Sequence, residues 1–271
     1  MNLKDKIVVI TGASSGIGKA LALECAARGA NLVLAARQYV TLCEISQNIE
    51  KQYGIKAVAV QCDVSIEADC EHLIKQAIVT FGRVDVLVNN AGISMRALFK
   101  DVDLGVIRSL MDVNFWGTVY CTKYAMPALL ESKGTVVGVS SIAGYKGLPG
   151  RTGYSASKFA MNGFLDALRV ENLKTGVHVM TACPGFTASN IRNTALNKAG
   201  ISQGESTLDE QKMMSAEEVA KNIADGIVNR SRTLTMTGQG KLAVALSKFL
   251  PGLLDKLVYN TFTKEKDPLL R

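Results

Sequence analysis

Read for its hydrophobic and polar positions, the chain alternates short apolar runs with longer stretches of helical period. Residues 7–10, Ile-Val-Val-Ile, read as a buried strand, and residues 19–28 after it as a helix. The pattern then repeats: 31–36, 56–61, 84–88, 135–139, 177–182 and 233–237 read as six further strands. Helices are predicted over 40–52, 67–81, 106–131, 154–174 and 215–230. Gly54, Gly82 and Gly176 end three of them, and Ser215-Ala-Glu-Glu218 is a capping box. Gly117 and Pro127 weaken the long 106–131 helix. Strands that are apolar throughout and alternate with helices predict a parallel sheet covered on both faces. With right-handed crossovers this is a doubly wound, Rossmann-like α/β sheet of seven strands.

Composition narrows the class. A chain of 271 residues, 48% hydrophobic and 20% charged, suits one globular domain with a large core. No Pro/Ser-rich linker or repeat divides it, so residues 1–240 read as the dinucleotide-binding and catalytic body and 241–271 as a tail of the same domain. Six cysteines are scattered without a Cys-x-x-Cys pair, and there are two histidines, which argues against a zinc site and suggests reduced, buried thiols. No apolar run reaches the ~18 residues of a membrane span, and the charged start does not resemble a signal peptide. The expectation is a cytoplasmic protein. Of the net charge of +7, most lies in residues 230–271, where eight Lys and Arg stand against three acids. The basic excess is therefore local and does not suggest a nucleic-acid surface.

In a doubly wound sheet ligands bind beyond the carboxyl ends of the strands. The polar motifs of this chain fall there. Thr11-Gly-Ala-Ser-Ser-Gly-Ile-Gly18 follows the first strand and opens a helix, as a pyrophosphate cradle requires. Its predicted contacts are Gly12, Ser14, Ser15, Gly16, Ile17 and Gly18. Gly12 allows the sharp turn, Gly16 close approach of phosphate, and Gly18 close packing of helix on strand. Arg37 ends the second strand, where a protein built for NAD would place an acid. A guanidinium there would meet a 2′-phosphate with a bond of roughly 1.5–3 kcal/mol, an NADP(H) preference of about 10- to 100-fold. Asp63 and Val64 follow strand three; Asp63 is placed to accept from the adenine amino group, and Val64 is a further predicted cofactor contact. Asn90, Ala91 and Gly92 follow strand four and form a loop beneath the ribose.

Tyr154-Ser-Ala-Ser-Lys158 places a phenol and an ammonium one helical turn apart on one face. A free tyrosine, with a pKa of about 10, is a poor base at neutral pH. Lowering it by ~3 units takes about 4 kcal/mol, which one positive charge at ~4 Å supplies at an effective dielectric near 20. Lys158 is predicted to supply it. Ser141, at the end of strand five, and Asn114, a polar residue in an apolar helical stretch, are small polar companions.

Together these motifs resemble the classical short-chain dehydrogenases/reductases, in order and spacing, over residues 5 to about 230. The resemblance implies a tetrad of Asn114, Ser141, Tyr154 and Lys158. Ser141 would polarise the substrate oxygen and Tyr154 exchange its proton. Lys158 would lower the tyrosine and bind the nicotinamide ribose, and Asn114 would hold a water linking Lys158 to solvent. Pro184, Gly185 and Thr187 would face the nicotinamide; the stretch Phe186-Thr-Ala-Ser189 departs from the usual Val and Thr, and Thr187 is the favoured hydroxyl. The pattern looks nearest the branch of the 11β-hydroxysteroid dehydrogenases, implying a small lipophilic ketone, aldehyde or alcohol and a homodimer or homotetramer through helices 106–131 and 154–174. The competing reading is a non-catalytic NADP-binding scaffold or sensor of the same fold.

Residues 189–214 are the expected lid, polar, Gly-containing and carrying apolar Ile191, Leu196, Ile201, Leu208, Met213 and Met214 for either a pocket or the lid's own packing. In the tail, Leu242, Leu246, Phe249, Leu250, Leu253, Leu254, Leu257 and Val258 form one helical face, which Pro251 splits into two helices. Two uses stay open for it: a cap over the substrate mouth or a partner, and peripheral attachment to an anionic membrane.

Overall fold

The computed structural model describes residues 3–187, 191–204, 213–264 and 268–270. Seven parallel strands run in the order β3-β2-β1-β4-β5-β6-β7. They are β1 (Ile7–Thr11), β2 (Asn31–Ala36), β3 (Ala57–Gln61), β4 (Val86–Asn89), β5 (Thr135–Val139), β6 (His178–Cys183) and β7 (Thr233–Thr235). The order reverses between β1 and β4, where Val9 lies opposite Val33 on one side and Leu87 on the other. That reversal opens a crevice at the strands' carboxyl ends.

Helices cover both faces, as the apolar strands require. On one side α1 (Gly16–Ala27), α2 (Tyr39–Tyr53) and α7 (Ala216–Val228) bury Leu21, Leu42, Ile45 and Ile223 against Ile10 and Leu34. On the other, α3 (Glu67–Phe81), α5 (Gly117–Ser132) and α6 (Thr152–Glu171) bury Leu73, Leu129 and Leu165 against Val9 and Leu87. Gly54 and Gly82 end α2 and α3 at φ of 66° and 73°, the left-handed caps that only glycine takes at little cost. α6 stops at Glu171, short of the expected residue 174.

The predicted 106–131 helix is two helices. α4 (Leu104–Met111) leads into a π-type turn, Asp112–Trp116, before α5. The cause is tertiary. The extra residue of the wide turn lets the Asn114 side chain reach the loop after β4, with which it exchanges two hydrogen bonds. The tail forms α8 (Gly238–Phe249) and α9 (Pro251–Phe262), with Pro251 opening the second helix as expected. No helix among the described residues is long and apolar enough to cross a membrane.

Candidate active site

The crevice is a cleft of about 760 Å³ running from the β1–α1 turn to the loop after β6. All the predicted cofactor residues line it except Gly18, and Ser141, Tyr154 and Lys158 line it as well. Gly18 and Asn114 stand behind the wall.

At the pyrophosphate end, Gly12 and Gly16 take φ of 66° and 52°. A Cβ on Gly18 would overlap the Gly12 carbonyl oxygen, and one on Gly12 would come within 2.9 Å of Ala91 Cα. Side chains are thus excluded where backbone must approach a ligand. α1 has no acid in its first turn, and the Ser15 hydroxyl caps no backbone group of the helix. Its N-terminal N–H groups and positive dipole end suit an anion. Thr11, in the motif but not among the predicted contacts, fastens the adjoining loop. Its Oγ1 accepts from the backbone of Asn90 and of Ala91, each at 3.0 Å. The Asn90 amide donates to the carbonyls of Thr11 at 2.9 Å and Gly12 at 3.3 Å, so it braces the turn.

Beyond β3, Asp63 Oδ1 accepts from the backbone and hydroxyl of Ser65, at 3.0 and 2.7 Å. Its Oδ2 lies 4.0 Å from Arg37 Nη1, and the Arg37 side chain is 68% exposed at the rim.

The tetrad residues come together from three elements. Tyr154 and Lys158 stand one turn apart on α6, with Lys158 Nζ 5.9 Å from the Tyr154 ring centre. Ser141 follows β5 and caps a 3-10 turn, Ile142–Gly144, its Oγ accepting from Ala143 N at 3.1 Å. That bond occupies a Ser141 lone pair and leaves its hydroxyl proton to be donated elsewhere. Asn114 is wholly buried. Its Oδ1 accepts from Ile93 N at 2.8 Å, and Nδ2 donates to Ile93 O at 3.0 Å and Ser157 Oγ at 2.9 Å. Both amide donors are engaged, so a relay water would be held by an Asn114 oxygen. Ser157, unforeseen in the sequence, donates on to Tyr154 O at 2.8 Å and joins the π-type turn to α6.

The balance of charge at Tyr154 differs from expectation. Burial is the largest influence and pushes the phenol above its usual value; Ser141, Arg151 and Arg192 pull it down. Lys158 is buried and its Nζ donates to Val139 O at 2.9 Å. Desolvation lowers its pKa from 10.5 to about 8, so it remains mostly protonated at neutral pH. Arg151 and Arg192, which sequence reading missed, line the cleft, with Arg151 Nη1 donating to Ser94 Oγ at 3.0 Å.

The substrate end is walled by Leu148, Phe186, Ile191, Leu196 and Thr187. Leu196 also packs on Met95, Ala97, Val106 and Leu110, so it both lines the cleft and seats its own segment. Ile201 is exposed, and Leu208 lies outside the described residues. Thr187 is buried, donates to Gly185 O at 3.2 Å and pairs with Met214. The tail rests on the loop beyond Ser141: Gly240 against Ile142, Asp255 paired with Lys146, and Leu269 against Gly150. Its outer face exposes Leu242, Phe249, Leu250, Leu253 and Leu257.

The glycine cradle, the open α1 terminus and the buried Ser140 hydroxyl in the cleft wall, which has no hydrogen-bond partner among the described residues, all fit a nicotinamide dinucleotide. Fold and site together define a dinucleotide-linked oxidoreductase. Residues 6–229 match the short chain dehydrogenase family model, and the chain belongs to that family. It is similar to 11-beta-hydroxysteroid dehydrogenase 1A of Arabidopsis thaliana, 35% identical over 97% of this chain and 78% of that protein. 11-beta-hydroxysteroid dehydrogenase A of Sesamum indicum is 42% identical over 73% of this chain and 57% of its own length. Two solved structures share the fold. A short chain dehydrogenase/reductase of Burkholderia phymatum in complex with NAD superposes with a TM-score of 0.81 at 24% identity, covering 93% of this chain and 96% of that one. An alcohol dehydrogenase of Thermococcus sibiricus complexed with 5-hydroxy-NADP superposes with a TM-score of 0.77 at 23% identity, covering 86% and 96%.

Proposed function

We propose that the protein interconverts a lipophilic ketone or aldehyde and the corresponding alcohol with NADP(H). The observation that carries this reading is the convergence of Ser141, Tyr154 and Lys158 on the cleft that the glycine turn closes at its other end. The nicotinamide, when bound, supplies or accepts the hydride. In the reducing direction Ser141 donates a hydrogen bond to the substrate oxygen, and Tyr154 gives that oxygen its proton as the C–H bond forms. In oxidation the phenolate takes it back. Protonated Lys158 favours the phenolate and holds the nicotinamide ribose, and Asn114 fixes the loop beside it and supplies the oxygen for a relay water. Gly12 to Gly18 hold the pyrophosphate, Asp63, Val64 and Asn90 to Gly92 the adenosine, and Pro184, Gly185 and Thr187 the nicotinamide. Arg37 favours the 2′-phosphate of NADP(H).

A lipophilic substrate is supported by the apolar wall of Leu148, Phe186, Ile191 and Leu196. The test is cofactor consumption against a panel of apolar aldehydes and ketones, run with NADPH and with NADH. Turnover with NADPH well above that with NADH is expected. Tight NADPH binding without turnover of any carbonyl would favour the scaffold reading.

The tail has two faces with two uses. Its inner contacts at Ile142, Lys146 and Gly150 support a cap beside the substrate mouth. Its exposed leucines and Phe249, beside Lys241, Lys248 and Lys256, suit an anionic lipid surface. Binding to phosphatidylserine vesicles that weakens with salt is expected; none at low salt would leave only the cap. Exposed Trp116 and Leu130, with Phe159 and Val170 on α6, support a homo-oligomer. Light scattering that found a monomer at micromolar concentration would refute it.

A further inference from the structure

Ser141 and the Tyr154–Lys158 pair sit on different elements, so the reach of the Ser141 hydroxyl depends on what ties α6 to the end of β5. Two side-chain hydrogen bonds bracket Ser141. Upstream, Lys158 Nζ donates to Val139 O at 2.9 Å. Downstream, Asn162 Nδ2 donates to Gly144 O at 2.9 Å. Lys158 and Asn162 stand one turn apart on α6, the spacing that also separates Tyr154 from Lys158. Gly144 closes the turn that Ser141 caps, its N–H donating to Ser141 O at 3.0 Å. The turn is seated hard on α6: a Cβ on Gly144 would lie 2.6 Å from Asn162 Nδ2 and 3.0 Å from Lys158 O. The other end of the amide is unfavourable, because the buried Asn162 Oδ1 has no partner among the described residues. Half of this amide is thus buried without a bond while the other half holds one carbonyl of the Ser141 turn.

We infer that Asn162 is a positioning residue, whose amide donor holds the Gly144 turn on α6 and so fixes the Ser141 hydroxyl against Tyr154. The inference rests on the proposed reaction, in which Ser141 and Tyr154 share the substrate oxygen. A carboxylate cannot donate to Gly144 O and a leucine offers nothing polar, so Asn162→Asp, at nearly constant volume, and Asn162→Leu, with the same branching but larger methyls, both remove the bond. The leucine variant also removes the orphaned oxygen, which favours its folding.

The phenol reports on the geometry. Around Tyr154, Ser141, Arg151 and Arg192 lower its titration, burial and Cys183 raise it, and Lys158 lies beside the ring. A displaced Ser141 loses its share of that pull, so the Tyr154 titration moves up. It is read without substrate or cofactor as ultraviolet phenolate absorbance, each variant minus its own Tyr154→Phe control. The midpoint is expected to rise in Ser141→Ala and in Asn162→Leu, and no further in the double variant. In steady-state assays kcat should fall about 10- to 100-fold, with NADPH affinity by fluorescence within twofold of wild type. The Ser141→Ala background should absorb nearly all of that loss. A folded Asn162→Leu or Asn162→Asp protein with an unmoved Tyr154 midpoint overturns the inference, as does an additive rise in the double variant. A wild type that reduces no carbonyl would instead refute the proposed reaction, while the absorbance titration still decides the role of Asn162.

Discussion

At the glycine-turn end the cleft is walled by backbone; at the far end it is walled by side chains from loops. Gly12 and Gly18 leave no room for a side chain, Gly16 takes a left-handed φ of 52°, and Thr11 and Asn90 knot the turn to the next loop with four hydrogen bonds. The far wall is assembled from Leu148, Phe186, Ile191 and Leu196, and the tail rests on the neighbouring 142–150 segment through the Lys146–Asp255 ion pair and apolar contacts. A backbone wall binds what every dinucleotide shares and tolerates little change. A side-chain wall can be rebuilt without disturbing the sheet, which suits it to setting substrate choice. Lys158 lies where the two ends meet.

Three variants probe that difference, taken from the largest expected effect. Lys158→Met removes a buried ammonium whose pKa falls from 10.5 to about 8 on folding. Between those values the unfolded chain holds the proton and the folded one does not, so stability rises with pH across that window; below about 8 the folded protein carries the full burden of the buried charge. Calorimetry should therefore find the variant more stable than wild type at pH 7, by at most roughly 3 kcal/mol, with the advantage shrinking as pH rises above 8. Its NADPH affinity and turnover should both fall. A variant less stable at pH 7 would mean that the bond to Val139 outweighs desolvation.

Gly18→Ala attacks the backbone wall, since its Cβ overlaps the Gly12 carbonyl oxygen. Denaturant titration should show a loss of about 1–3 kcal/mol, the usual cost of overpacking, together with weakened NADPH binding. Unchanged cofactor affinity would show that the turn gives way and the wall is not rigid. Arg37→Ala, at the exposed rim, should cost the least. Its guanidinium is 68% exposed and shares the rim with Asp63, so NADPH affinity should drop about tenfold with NADH affinity unchanged. Equal loss for both cofactors would remove the 2′-phosphate role.

Much of this was legible in the sequence, and unevenly. The strands, the glycine turn and the spacing of Tyr154 and Lys158 are local patterns, and each appears in the structure near its expected boundary. The π-type turn at Asn114 was not legible, because its cause is a pair of hydrogen bonds to Ile93, 21 residues away. Nor was the engagement of Lys158 by Val139, nor the burial that dominates the Tyr154 titration. Arg151 and Arg192 reach the cleft only once the 191–204 segment and α6 are folded together, and nothing in their sequence neighbourhoods marks them. The tail's helical period was plain, yet periodicity alone did not say that Leu254 and Phe262 would turn inward while Phe249 stayed 81% exposed.

The central claim is that Tyr154 exchanges the proton in a cleft whose cofactor end works independently of it. Tyr154→Phe removes only the hydroxyl. Measured side by side, kcat for carbonyl reduction should fall by about 100- to 10,000-fold while the NADPH dissociation constant stays within twofold of wild type. A near-normal kcat would show that another group supplies the proton, and a parallel loss of NADPH affinity would show that the two ends of the cleft are not separate.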